Sequence, residues 1–151
     1  MNELPAVLSS YIEGLKTHDV DKICRAVADD LAFVTTSQTF TKEQFLGMLR
    51  AIYAGFPDWH YDHDEPELRP EVIAVRFRQG GRHTGTFAWP GLDPIQATGT
   101  QVTIPEHYFF YRLRGDLIVE IRPEPVPGGA PLGILKQIGI IGAHLSLFNR
   151  P

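Results

Sequence analysis

Cysteine is almost missing from this chain: Cys24 stands alone among 151 residues. No intramolecular disulfide framework is possible, so a packed core must hold the fold. The lone thiol falls in an apolar helical pattern, an ordinary place for a small core residue. Long hydrophobic runs are missing too. No stretch of about 18 apolar residues occurs, and MNELPAVLSS opens with neither a charged segment nor an extended apolar one. The expectation is a cytoplasmic protein with no membrane partner. Lysine and arginine form no stripe, and a formal charge of −4 gives no electrostatic reason to expect nucleic acid. No Ser/Gly-rich linker divides the chain and nothing repeats internally. Cofactor and catalytic signatures are absent as well: there is no GxGxxG, no P-loop, no HExxH and no GxSxG. No cofactor and no metal are expected.

What remains is close to the globular average, 43% hydrophobic and 21% charged, with enough length for one substantial core over residues 1–151. Leu4, Val7, Leu8, Tyr11, Ile12 and Leu15 recur at helical spacing and predict a first helix ending near Lys16. Asp19 or a neighbour caps a second helix carrying Val20, Ile23, Cys24 and Val27. Residues 31–36 read as a short strand. Thr41 and Gln44 form the ends of a capping box before a third helix that buries Phe45, Met48, Leu49, Ile52 and Tyr53. From Asp58 onward the period changes to two. Residues 59–65, 72–78, 83–89, 101–113 and 117–122 read as strands, separated by turn signals at Pro66, Gly80-Gly81, Pro90-Gly91 and Gly115-Asp116. Helices followed by a block of strands predict an α+β fold: a curved mixed or antiparallel sheet wrapped around three helices, with a cavity between them. Beyond Pro123 three more prolines forbid a ladder. An apolar tail over residues 131–151, helical across 134–148, would then pack on the domain or on a second subunit.

Three short words carry a family likeness: FPDW at 56–59, RHTGTF at 82–87 and ATGTQV at 97–102, followed by PLGILKQIG at 131–139. Together they resemble the SnoaL-like polyketide cyclase branch of the NTF2-like superfamily. The resemblance implies a cone-shaped fold and a small, largely apolar ligand inside it. It also implies a homodimer through the open face of the sheet. The fold hosts cyclases, isomerases, hydrolases and plain binding proteins, so it does not choose among them.

A second resemblance, of residues 7–34 to the opening of ketosteroid isomerases, puts Tyr11 where that family has its oxyanion-polarising tyrosine. It also puts Thr35 where that family has its proton-abstracting acid, and Phe109 where it has its second acid, a place that a bulge would shift to Glu106 or His107. Neither Thr35 nor Phe109 is a base at neutral pH, which disfavours ketosteroid isomerisation. His83 opens the HTGTF word as a candidate acid/base group. A two-residue turn at Gly115-Asp116 puts Glu106, Tyr108 and Phe110 on the inward face of the long strand, opposite Ile121 and Pro123; a longer turn puts His107 and Phe109 there instead.

The catalytic candidates are therefore Tyr11, His83 and Glu106, and the cone walls are Phe33, Thr35, Trp59, Phe87, His107, Tyr108, Phe109, Phe110 and Ile121. The run His60 to Glu65 alternates faces and reads as a solvated strand rather than a metal site. The leading expectation is cofactor-independent cyclisation or isomerisation of a small hydrophobic carbonyl compound. The alternatives are non-catalytic ligand binding and epoxide-type water activation.

Overall fold

In the computed structural model, which describes residues 4–129 and 132–139, the apolar stripe at the N-terminus forms α1 (Ala6–Thr17) and buries Leu8, Tyr11, Ile12 and Leu15. The helix stops at His18, whose backbone turns left-handed at φ 57° and gives its N–H to the last-turn carbonyls. That conformation is unusual for a residue with a Cβ. The His18 ring holds it in place: Nε2 donates to the Trp59 carbonyl at 2.7 Å, and the ring stacks on Tyr53 with centroids 4.0 Å apart.

α2 (Val20–Ala26) begins where the Asp19 carboxylate accepts the Lys22 N–H at 3.0 Å. The chain then passes directly into β1 (Val27–Val34). Val27 thus belongs to a strand rather than to the second helix, because it already pairs with Ile118 across the sheet. After β2 (Thr39–Phe40), α3 (Lys42–Gly55) opens on the expected capping box. The Thr41 hydroxyl accepts the Gln44 N–H at 3.2 Å and the Gln44 side chain accepts the Thr41 N–H at 2.8 Å, satisfying two otherwise orphaned donors.

The remaining strands are β3 (His60–His63), β4 (Glu67–Arg69), β5 (Val72–Arg82), β6 (Gln101–Arg114) and β7 (Leu117–Pro123), followed by α4 (Leu132–Gln137). They form one curved, unclosed sheet in the order β2-β1-β7-β6-β5-β3, with β4 also paired to β5. The β1–β7 pair is parallel and the others are antiparallel. The α+β class follows as expected, and α1 and α3 fill the concave side. No helix of the described residues is long and apolar enough to cross a membrane.

Two sequence readings of this region need correction. Gly80 and Gly81 do not turn the chain; they lie inside β5. A Cβ on Gly80 would come within 2.8 Å of the Val102 carbonyl, so the glycine marks a close approach of backbones. Residues 83–89 form no strand beyond a single bridge from Phe87 to Ile95. Gly85 instead lies with its backbone against the Ala54 carbonyl at the end of α3, leaving no space for a side chain.

Two bulges decide which side chains enter the cone. The β6–β7 turn is indeed two residues long, with Arg114 opposite Leu117. The register slips between Arg112 and Leu113, however, because Ile118 faces Leu113 while Glu120 faces Arg112. Val119 is the extra residue. On β6, Pro105 and Glu106 together oppose Arg78, since Ile104 faces Gln79 and His107 faces Phe77. A one-residue slip exchanges the two faces of a strand. The buried residues of β6 are accordingly Val102 and Ile104 before its bulge and His107, Phe109 and Tyr111 after it.

Of the expected C-terminal helix, α4 lies within the described residues, and the stretch from 140 onward lies outside them. Ile134 and Leu135 are fully buried. The Gln137 amide pairs with the backbone of Thr103, donating to its carbonyl at 2.8 Å and accepting its N–H at 3.1 Å. This covers part of β6 that extends past the end of β7.

Candidate functional site

Inward-facing residues of α1, β1, α3, β3, β5 and β6 line a cavity of about 60 Å³ on the concave side of the sheet. Its wall is mostly apolar: Leu15, Phe33, Phe45, Met48, Leu49, Ile52, Phe77 and Phe109. Polar groups reach it from Tyr11, Tyr61, Tyr111 and Gln79.

Period two explains the strand contributions. Tyr61 sits opposite Gln79, and Val75 and Phe77 continue the inward row of β5 toward Ile73, which faces Tyr111. Tyr11 meets Tyr111 edge to face at 5.5 Å. The Tyr53 and Tyr61 hydroxyls lie 2.8 Å apart, and Tyr53 is pinned from behind by the stacked His18 ring. The Gln79 carbonyl oxygen accepts the Trp59 indole N–H at 3.3 Å, which leaves the Gln79 amide nitrogen free to donate.

Burial dominates the electrostatics. Desolvation raises the Tyr11 phenol well above its ordinary range, with smaller contributions from neighbouring Tyr111 and Tyr53. Tyr61, Tyr53 and Tyr111 are raised in the same direction by the same first cause. All four phenols therefore stay protonated at neutral pH and act as hydrogen-bond donors, not as bases. Donors in an apolar, water-poor setting are suited to polarising an oxygen that gains negative charge.

Of the sequence-predicted residues, Tyr11, Phe33 and Phe109 lie on this cavity. Trp59 lies one layer behind it, through its bond to Gln79. Ile121 is fully buried on β7, outside the cavity lining. Thr35 sits in the β1–β2 turn, its hydroxyl donating to the Gln38 carbonyl at 2.8 Å.

Glu106, Tyr108 and Phe110 do not face inward, because of the Val119 bulge. Glu106 pairs with Arg78 at 2.9 Å and with Arg76 at 3.8 Å on the outer face. Tyr108 donates to Glu67 at 2.8 Å, and the Arg69 guanidinium lies over both the Tyr108 and Phe110 rings. Asp62 and Asp64, from the expected solvated run, join this same network through Arg78 and Arg76.

His83 is buried, but in a separate aromatic group with Phe56 and Phe87. Its Nδ1 accepts the Thr98 N–H at 3.2 Å and lies 2.8 Å from the Thr98 hydroxyl. Its Nε2 makes no well-formed hydrogen bond among the described residues. Desolvation lowers its pKa, only partly offset by the nearby backbone of Ile95 and Gly85.

His107 takes the inward place that sequence parity leaves open. It lies beside Phe109, with ring centroids 4.9 Å apart, and faces Phe77 across the strand pair. Its Nδ1 lies 2.8 Å from the Pro105 carbonyl. A carbonyl only accepts, so Nδ1 carries the proton. Nε2 is buried and has no hydrogen-bond partner among the described residues.

The functional groups missed by sequence reasoning are Gln79 and the tyrosines at 53 and 111, whereas Tyr61 reads from the sequence as a pocket-wall or dimer-sheet aromatic and lies on the cavity. Gln79 was detectable as the one amide in the otherwise apolar inward row 73, 75, 77 and 79.

A sequence profile of the SnoaL-like domain matches residues 8–121. No curated protein matches the sequence. Among solved structures, AclR of Streptomyces galilaeus, provisionally described as a hydroxylase, superposes with a TM-score of 0.69 at 17% identity, over 91% of this chain and 85% of its own. IdmH of Streptomyces antibioticus, provisionally a polyketide cyclase, gives 0.64 at 18% identity, over 88% and 96%. A provisional SnoaL-like polyketide cyclase from Jannaschia sp. CCS1 gives 0.64 at 14% identity, over 94% and 100%. At these identities the structural likeness is one of fold. The profile match extends from the first buried leucine of α1 to the last inward isoleucine of β7, and on it the chain belongs to the SnoaL-like domain family.

Proposed function

We propose that the cone binds a small, largely apolar carbonyl compound, with its oxygen hydrogen-bonded by Tyr11 and Tyr111, and catalyses cofactor-independent proton transfer next to that carbonyl. Cyclisation or isomerisation of a polyketide- or terpenoid-like compound is chemistry of this kind. The observation that carries the reading is the meeting of two protonated phenols on an apolar cavity. Neutral donors in a low-dielectric pocket lower the energy of an enolate oxygen.

His107 is the base in this reading. Its ring lies beside Phe109 and in register with Phe77, both wall residues of the cavity, and its Nε2 has no hydrogen-bond partner among the described residues. A cavity of about 60 Å³ is smaller than the roughly 150 Å³ that takes a benzene ring, so the ligand must push the wall outward. Met48, flexible and polarisable, is the side chain best able to yield.

The names of the structural neighbours, two of them polyketide cyclases, support the reaction class. Non-catalytic binding is the second reading. It is favoured by the lining itself, which among the described residues holds phenols and one amide but no carboxylate or imidazole. The same lining removes the support for water activation on an epoxide.

Deuterium exchange at the α-carbons of cyclohexanone, followed by NMR, separates the two readings. Wild type accelerates the exchange. His107→Gln loses roughly a hundredfold or more of that acceleration while keeping ketone affinity, and Glu106→Gln changes neither. Equal exchange in wild type and His107→Gln would remove the base and leave the binding protein.

A further inference from the structure

A second cavity, of about 190 Å³, lies beyond the cone between the β1–β2 turn, the Trp89 loop, residues 124–129 after β7, and α4. The Phe33 and Phe40 rings, 6.0 Å apart, form part of the partition: Phe33 lines the inner cavity and Phe40 the outer one. The two cavities share no lining residue. At this volume the outer cavity accommodates one substituted ring, since an apolar cavity of roughly 150 Å³ takes benzene.

Its walls differ in character. Trp89, Phe40, Pro123, Pro125, Val126 and Leu132 provide flat or rigid apolar surface. The polar groups are placed apart around them. Lys136, on the last turn of α4, lines the cavity and has no ion-pair partner among the described residues. Glu124 also lines it and is held in place because one of its oxygens accepts the Tyr108 N–H at 3.0 Å. Its other oxygen remains as an acceptor. The Thr35 hydroxyl is occupied by the Gln38 backbone.

We propose that this outer cavity is a second binding site, for a single-ring aromatic acid bearing a hydroxyl group. The apolar walls take the ring, Lys136 takes the carboxylate and the free oxygen of Glu124 takes the hydroxyl. An unpaired cation and a fixed anion in one small apolar hollow select a ligand with an acidic end and a hydrogen-bond-donating end over one that is simply apolar. Two carboxylates on one ring would be repelled at the Glu124 side.

The probe is 4-hydroxybenzoate, with 4-hydroxybenzamide and benzoate as controls, titrated against the full chain and followed by backbone amide shifts. The expected shifts centre on Gly128, Gly129 and Gly133. Lys136→Gln weakens 4-hydroxybenzoate roughly fivefold and leaves the amide unchanged; Glu124→Gln weakens it relative to benzoate. Lys136 is exposed, so its replacement does not threaten the fold. Tyr11→Phe leaves this binding untouched, which distinguishes the site from the cone. Shifts centred instead on Tyr11, Leu49 and Phe109, equal affinity in Lys136→Gln, or no saturable binding at millimolar probe would each overturn the proposal.

Discussion

Tyr11 and His83 show how differently two predicted site residues can be used. Tyr11 was legible from the sequence because a helical stripe points its members at one place, and the cone puts its cavity there. His83 was equally conspicuous, but its word ends in a loop that packs on the end of α3, away from the phenols. Its burial has a thermodynamic consequence. The folded state lowers its pKa, so below the ordinary imidazole range near 6.5 the unfolded chain binds the proton more readily. The stability that His83 contributes is complete above that range and is lost as the pH falls through it toward the depressed folded value. Urea denaturation between pH 7.5 and 5 should show stability falling with acidity, at no more than about 1.4 kcal/mol per pH unit from this one group. His83→Gln should flatten that part of the profile. An unchanged slope in the variant would place the acid sensitivity elsewhere.

At the scale of elements, most of the architecture could be read from local pattern. Capping chemistry marked α2 and α3, alternation marked β3, β5, β6 and β7, and the prolines after β7 marked the end of the ladder. The faces could not be read, because parity along a strand holds only while the register does. Val119 carries no local sign that it is a bulge, yet it moves Glu106 from the expected interior to an arginine pair and brings His107 inside. Pro105, lacking an N–H, was the one visible hint of the slip on β6. The Gly80-Gly81 pair misled for a related reason: glycine marks a tight approach as readily as a turn. Gly80→Ala tests this. Its Cβ would meet a backbone oxygen of β6, which cannot swing away like a side chain, so the substitution should cost about 1–3 kcal/mol. The measurement is the urea midpoint at constant m-value. A neutral or stabilising Gly80→Ala would mean that β5 and β6 separate easily there, and the positioning of His107 opposite Phe77 would lose its support.

For the whole molecule, the sheet divides charge from cavity. Its outer face carries the guanidinium and carboxylate network of Arg69, Arg76, Arg78, Asp62, Asp64, Glu67 and Glu106, with Tyr108 and Phe110 among them. We propose this face for pairing with a second copy, in which case the dimer should weaken as salt screens the network. The concave face buries Tyr11 and Tyr111 and keeps the phenols neutral, and the proposed function depends on that separation. That function requires that Tyr11 and Tyr111 hydrogen-bond a carbonyl oxygen inside the cone. The most direct test is the carbonyl ¹³C resonance of labelled cyclohexanone bound to wild type and to Tyr11→Phe. Hydrogen bonding draws electron density from the carbonyl carbon, so the account predicts a downfield shift in the wild-type complex that largely collapses in the variant. An identical bound shift in the two proteins would mean that the oxygen does not meet these phenols, and would contradict the account.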